Sequence, residues 1–222
     1  MITRFGDGMT PKVINTPKAI PNRRGYRIAK RAMDLAICIL VQPIVLPLGI
    51  LISILIYLDS PWPVIFKQDR TGLGGKRFRM YKFRTMVTNA EDLKTQYAHL
   101  NELTLPDFKI TNDPRVTRVG HFLRKTSLDE LPQIINILKG DMSLVGPRPT
   151  SFGAETYSLK HTERLEVVPG LTGLWQIKGR SDLDFDERTK LDIEYIENQS
   201  LWLDIQILVL TVGAVLSKKG AK

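Results

Sequence analysis

The sequence is short of the residues that build staples and metal centres. It has one cysteine, Cys38, inside an apolar run, and three histidines, His99, His121 and His161, far apart in the chain. A single thiol excludes an internal disulfide and a cysteine-based zinc site, and it is compatible with a reducing compartment. The histidines match no metal-ligand spacing. No G-x-S-x-G, Ser-His-Asp order or DNA- or RNA-binding motif is present, and there is no internal repeat or low-complexity tract.

Charge of one sign is also scarce. Asp and Glu number 23 against 32 Lys and Arg, a net charge of +9. That balance points to a polyanionic partner: nucleic acid, an anionic lipid surface or phosphorylated substrates. The apolar fraction of 43% in 222 residues excludes a disordered chain and allows one domain with a real core.

The chain divides into a basic arm (1–33), an apolar segment (34–59) and a folded domain (60–222). Met1 to Arg31 holds eight Lys or Arg and one acid, Asp7, without apolar periodicity. It does not read as a signal peptide, because the arm is long and the following run exceeds an h-region. Residues 35–58 carry no charge at all, long enough to cross a bilayer as a straight helix. Pro43 and Pro47 interrupt that helix, and basic clusters flank it on both sides, from Arg23 to Arg31 and from Lys67 to Arg84. Because Lys and Arg stay on the cytoplasmic side, a spanning helix would misplace one cluster. A re-entrant helix bent at Gln42-Pro43 satisfies both. Its first arm, Leu35 to Gln42, is then about 12 Å long.

Beyond it the reading is α+β. Val64–Phe66 and Phe78–Phe83 are expected as strands of a hairpin around Thr71–Gly75. Lys82 and Arg84, alternating with Tyr81 and Phe83, are expected on one strand face. Helices are expected from Asn89 to about Leu100, around Val116–Leu123, over Glu155–Leu165 and over Phe185–Asn198. Leu201–Leu216 is apolar except for Asp204, Gln206 and Thr211; it is short for a span, and an interfacial or core-packed helix suits it better.

The chemistry concentrates in Thr126–Pro149. Asp129 and Glu130 stand at the start of an apolar helical pattern that Lys139 and Gly140 close. Ser127 with Glu130 spells a capping box, but Pro132 would then fall inside the helix at a cost of about 3 kcal/mol. A start at Pro132 is preferred, with both acids on loop-like backbone just before it, where carboxylates can meet a metal ion or a phosphorus centre. Further on, Pro147 and Pro149 fix the backbone around Arg148.

Five blocks carry a resemblance: Tyr81–Met86, Asn112–Gly120, Leu123–Gln133, Lys139–Pro149 and Pro169–Gln176. Together they resemble the core of the bacterial sugar transferases, the monotopic polyprenyl-phosphate phosphoglycosyl transferases. The resemblance covers about Arg27 to the C-terminus. It implies a monotopic protein at the cytoplasmic face of the bacterial inner membrane, carrying the same re-entrant hairpin; the Ser-Pro usual at the bend reads Gln42-Pro43 here. It implies that Asp129 attacks the sugar-bearing phosphate of a UDP-sugar, and that polyprenyl phosphate then takes the phosphosugar with help from Glu130. It places Lys82, Arg84, Arg124, Arg148 and Arg180 around phosphate and Mg²⁺ at Asp129. Galactose or glucose is favoured as the sugar, and a homodimer is compatible with it. The competing reading from the residues is a non-catalytic basic module on a membrane or nucleic acid.

Overall fold

The computed structural model describes residues 24–102, 110–151, 153, 159–179 and 183–216. Its spine is α1 (Arg24–Asp59), a helix of 36 residues, about 54 Å at 1.5 Å per residue. Helix begins at Arg24, so Arg24, Arg27, Lys30 and Arg31, read from the sequence as part of an arm ending at 33, are its first turns. Pro43 and Pro47 lie inside it with helical residues on both sides. Asp34, Cys38, Val41, Val45, Leu48, Ile52 and Ile56 recur at three or four residues, and this stripe packs against the rest of the chain. Ile39, Leu40, Ile44, Leu46, Ile50 and Leu58 on the remaining surface are exposed.

Strands β1 (Ile65–Thr71) and β2 (Arg77–Phe83) pair antiparallel, from Ile65 opposite Phe83 to Thr71 opposite Arg77. The glycine-rich expectation for their hairpin turn holds, since Gly74 and Gly75 both take positive φ. Then come α2 (Arg118–Thr126), a single 3₁₀ turn at Leu128–Glu130, and α3 (Gln133–Lys139). Short strands β3 (Ser143–Val145) and β4 (Gly170–Thr172) pair in parallel. The chain continues with α4 (Leu174–Lys178), α5 (Phe185–Glu197) and α6 (Leu201–Leu216).

Two apolar clusters line α1. Cys38 lies in one with Met80, Ile137, Val145, Leu174, Tyr195 and Ile207; Ile52 and Ile56 lie in the other with Val64, Phe83 and Leu123. Two buried acids join distant elements. Asp34 accepts from Ser143 Oγ at 2.7 Å and from the Leu144 amide at 3.3 Å. Asp204, fully buried on α6, accepts from Tyr26 at 2.8 Å, Tyr195 at 2.7 Å and Lys30 at 3.0 Å. The charge inside the apolar α6 is therefore turned inward and paired.

Two helix expectations are corrected. Asn89–Leu100 forms turns with 3₁₀ segments at Asp92–Lys94 and Ala98–Leu100, not an α-helix. So short a helix is marginal without packing, and Leu93 and Tyr97 are only half-buried. The described part of Glu155–Leu165 belongs to a 3₁₀ run, Leu159–Glu166; the rest lies outside the described residues. The expected start of α3 shifts by one, with Pro132 at the cap in helical φ/ψ.

Candidate active site

Asp129 and Glu130 owe their position to Ser127. This residue ends α2 in the left-handed region (φ 57°), the only described non-glycine residue with positive φ. The reversal turns the chain out of α2 and into the single turn that carries both acids. Ser127 makes no side-chain cap to that turn, so the capping-box pattern is not realised. A left-handed serine costs on the order of 1–3 kcal/mol, held by the packing on either side. α2 is itself docked tightly: a Cβ on Gly120 would stand 2.1 Å from the Thr85 carbonyl oxygen. Here glycine is required for close approach.

Glu130 lies between two cations. Lys82 Nζ, from the end of β2, donates to its Oε1 at 2.7 Å, and Arg148 Nη2 donates to the same oxygen at 2.5 Å. Lys82 Nζ is also 3.5 Å from Asp129 Oδ2. Burial alone would raise the Glu130 carboxyl, but Arg148 and Lys82 outweigh it and hold it well below the usual carboxylate range. Asp129 goes the other way. Burial raises its carboxyl, with Lys82 opposing and Glu130 adding to the rise. Two adjacent acids thus have opposite environments, the pattern expected when they take different chemical roles.

Arg124, on the last turn of α2, donates Nε to Thr85 Oγ1 at 2.9 Å. It lines the same cavity as Lys82, Asp129, Glu130 and Arg148, a space of about 1420 Å³. The rest of the lining includes Leu171, Ile177, Leu208, Val212 and Val215, so the acid pair shares one cavity with an apolar wall from β4, α4 and α6. Charged groups and an apolar surface in one cavity suit an amphiphilic substrate.

The structure therefore brings together Lys82, Arg124, Asp129, Glu130 and Arg148. Arg84 departs from expectation. It follows the last residue of β2, is 6% exposed, and donates Nη2 to the Ser60 carbonyl; no hydrogen bond of its reaches either acid. It lines the cavity without a hydrogen bond to the acid pair. Arg180 lies outside the described residues. Gln42 and Pro43 sit on α1, separate from the acid pair. Sequence reasoning missed Arg164 and Asp192, which pair at 2.7 Å with Arg164 Nη2 also 2.8 Å from the Arg148 carbonyl oxygen. No local pattern links residues so far apart; a charge in the buried stripe of α5 was the one signal.

Among the described residues no three His, Cys, Asp or Glu side chains gather as a metal cage. The available donors are the oxygens of Asp129, beside Glu130, which is already paired with cations. One or two carboxylate oxygens completed by substrate oxygens is a donor set that magnesium accepts, so the residues fit that ion.

Among the described residues one helix, α1, is long and apolar enough to cross a membrane, and the cavity joins an acid pair to cations of the kind that bind phosphate. The chain belongs to the bacterial sugar transferase family, whose model matches residues 25–218. It is 44% identical over 204 residues to an undecaprenyl-phosphate galactose phosphotransferase of Salmonella typhimurium, covering 90% of this chain and 43% of that protein. It is 42% identical over 208 residues to the UDP-glucose:undecaprenyl-phosphate glucose-1-phosphate transferase of Escherichia coli, covering 88% and 42%. To the exopolysaccharide production protein ExoY of Rhizobium meliloti it is 38% identical over 217 residues, 93% and 96% of the two chains. The chain spans about two fifths of the length of the first two.

Proposed function

We propose that this protein is a phosphoglycosyl transferase that moves a hexose 1-phosphate from a UDP-sugar to polyprenyl phosphate, as a first membrane step of polysaccharide assembly. The observation that carries this is the contrast at the acid pair: a cation-neutralised Glu130 beside a buried, less paired Asp129. Asp129 Oδ attacks the sugar-bearing phosphorus, the bond from that phosphorus to the bridging oxygen breaks, and UMP leaves with the oxygen. An oxygen of polyprenyl phosphate then attacks the same phosphorus and releases Asp129 as a free carboxylate. Lys82 and Arg148 hold phosphate oxygens while fixing Glu130, which orients the incoming acceptor. Arg124 extends the cationic side. Magnesium, held by Asp129 with substrate oxygens, would offset phosphate charge. The relatives named for galactose and glucose transfer favour a hexose donor.

The membrane reading rests on α1. Near one end Arg31 donates to the Ile137 and Leu138 carbonyls, and at the other Asp59 accepts from the Val119 amide at 3.1 Å. Both ends are tied to the catalytic body, which a helix crossing a bilayer away from that body would forbid. A bend at Gln42-Pro43 that admits the exposed face of α1 to one leaflet satisfies these ties and the basic flanks. Trp62, 71% exposed, and Trp202, 68% exposed, suit the interface. The body then sits on the cytoplasmic face of the inner membrane. The direct test is UMP release from a panel of UDP-sugars with undecaprenyl phosphate in membranes. UMP from UDP-galactose or UDP-glucose is expected; no UMP from any donor overturns the reading.

A further inference from the structure

The loop that carries Arg148 is held at four consecutive carbonyls. The Gly170 amide donates to Pro147 O at 2.9 Å, Arg164 Nη2 to Arg148 O at 2.8 Å, Arg70 Nη1 to Pro149 O at 3.5 Å and the Thr71 amide to Thr150 O at 3.0 Å. Before it, Gly146 is pressed so close to β4 that a Cβ would meet the Val168 oxygen at 2.7 Å. One of the four ties is unlike the others: it is made to Arg148's own peptide, by a buried charge. Arg164 is 6% exposed and lies 2.7 Å from Asp192, itself 1% exposed on the buried stripe of α5 with Thr189, Tyr195 and Ile196. The Phe185 ring lies under the Arg164 guanidinium, 5.6 Å to its centre.

Burying an ion pair gives little stability over an apolar pair of the same size. Neither Arg164 nor Asp192 lines the main cavity, so neither touches a substrate there. What the pair does touch is the peptide that aims Arg148 at Glu130. We propose that Arg164, held by Asp192, is a positioning residue for Arg148: it sets the direction in which the Arg148 guanidinium leaves its loop, and through it the grip on donor phosphate. The proposal rests on the reading of Arg148 as a phosphate-binding side chain. A misplacement near 1 Å in such a site costs about 10²-fold in rate.

The test is a double-mutant cycle in the full chain, with UMP release from UDP-galactose and UDP affinity by calorimetry as parallel readouts. Arg164→Gln is expected to lower kcat/KM by about 10- to 100-fold and weaken UDP binding by about tenfold. In an Arg148→Ala background the same change should cost less than about threefold, because the residue it acts through is gone. Arg164→Lys, which keeps the charge and a donor, should recover much of the loss. A purely structural role gives the opposite result, an equal factor in both backgrounds, and overturns the proposal; so does an Arg164→Gln enzyme within twofold of wild type. If Arg164→Gln does not fold, Asp192→Asn carries the same cycle with the same criteria. A wild type that binds UDP but releases no UMP removes the transferase reading alone, and the affinity cycle still decides. A wild type that does not bind UDP removes both.

Discussion

At the scale of single residues, the two acids differ more in environment than in position. If Asp129 is the nucleophile, Asp129→Asn lowers turnover by at least about 10³-fold and abolishes the adduct that intact-mass analysis shows when UDP-sugar is supplied without acceptor. Glu130→Gln, which leaves Asp129 in place, should slow transfer by about 10²-fold while the adduct still forms. Substantial turnover by the Asp129 variant removes the covalent route. The pH profile carries a second expectation. Asp129 must be unprotonated to attack, and burial lifts its carboxyl above the ordinary aspartate value of about 3.9. Turnover should therefore fail, as pH drops, above the range where an exposed aspartate titrates. Lys82 is the main opposing charge, so Lys82→Met should move that acid limb to higher pH; a limb that stays or moves down refutes this account. Arg148→Lys keeps the charge but loses the planar fork facing Glu130, and about a tenfold or larger fall in kcat/KM with an unchanged melting temperature is expected.

At the scale of elements, the site depends on one reversal of the chain. Ser127 connects α2 to the acid-bearing turn in a left-handed conformation. Ser127→Gly should be neutral or slightly stabilising, since glycine adopts that φ freely. Ser127→Val should cost about 1–3 kcal/mol, and it should reduce turnover beyond what the stability loss explains, because α2 and the acid turn lose their relative angle. Thermal unfolding beside UMP release separates the two effects. Equal stability of the valine and glycine variants would show that the reversal is not strained.

At the scale of the whole molecule, α1 joins a core stripe to a long exposed apolar surface. Its inward stripe makes both apolar clusters, and its outward surface is one of two long exposed apolar faces among the described residues. The other is on α6, where Trp202, Val209, Leu210 and Val212 are exposed. Single cysteines at Thr16 and Thr88, in a Cys38→Ser background, should both resist an impermeant reagent in intact cells. Replacing Gln42 by Leu and Pro43 and Pro47 by Ala should let the helix cross and expose Thr16 outside. Labelling of Thr16 with Gln42, Pro43 and Pro47 unaltered means that the segment spans and the proposed bend is wrong.

The amino-acid sequence alone determined the parts whose cause is local. The uncharged run with its prolines, the glycine-turned hairpin, the start of α3 within one residue of Pro132 and the acids just before it all follow from backbone chemistry over a few residues. Lys82, Arg124 and Arg148, which the resemblance singles out through its motifs, line one cavity with the acid pair. Tertiary structure decided the rest. Asn89–Leu100 has helical spacing but buries Leu93 and Tyr97 only in part, and it stays as turns. Arg84 shares a strand pattern with Lys82, yet β2 ends at Phe83, and the guanidinium turns to the Ser60 carbonyl. The sequence left α6 as an interfacial or core-packed helix with a charge inside it, and only the closing of Tyr26, Lys30 and Tyr195 around Asp204 shows which way that charge turns. Asp192, Arg164 and Arg148 meet because α5 packs on the 3₁₀ run Leu159–Glu166 that carries Arg164. Each of these depends on which charges burial brings within a few ångströms, and that is set by contacts between residues far apart in the chain.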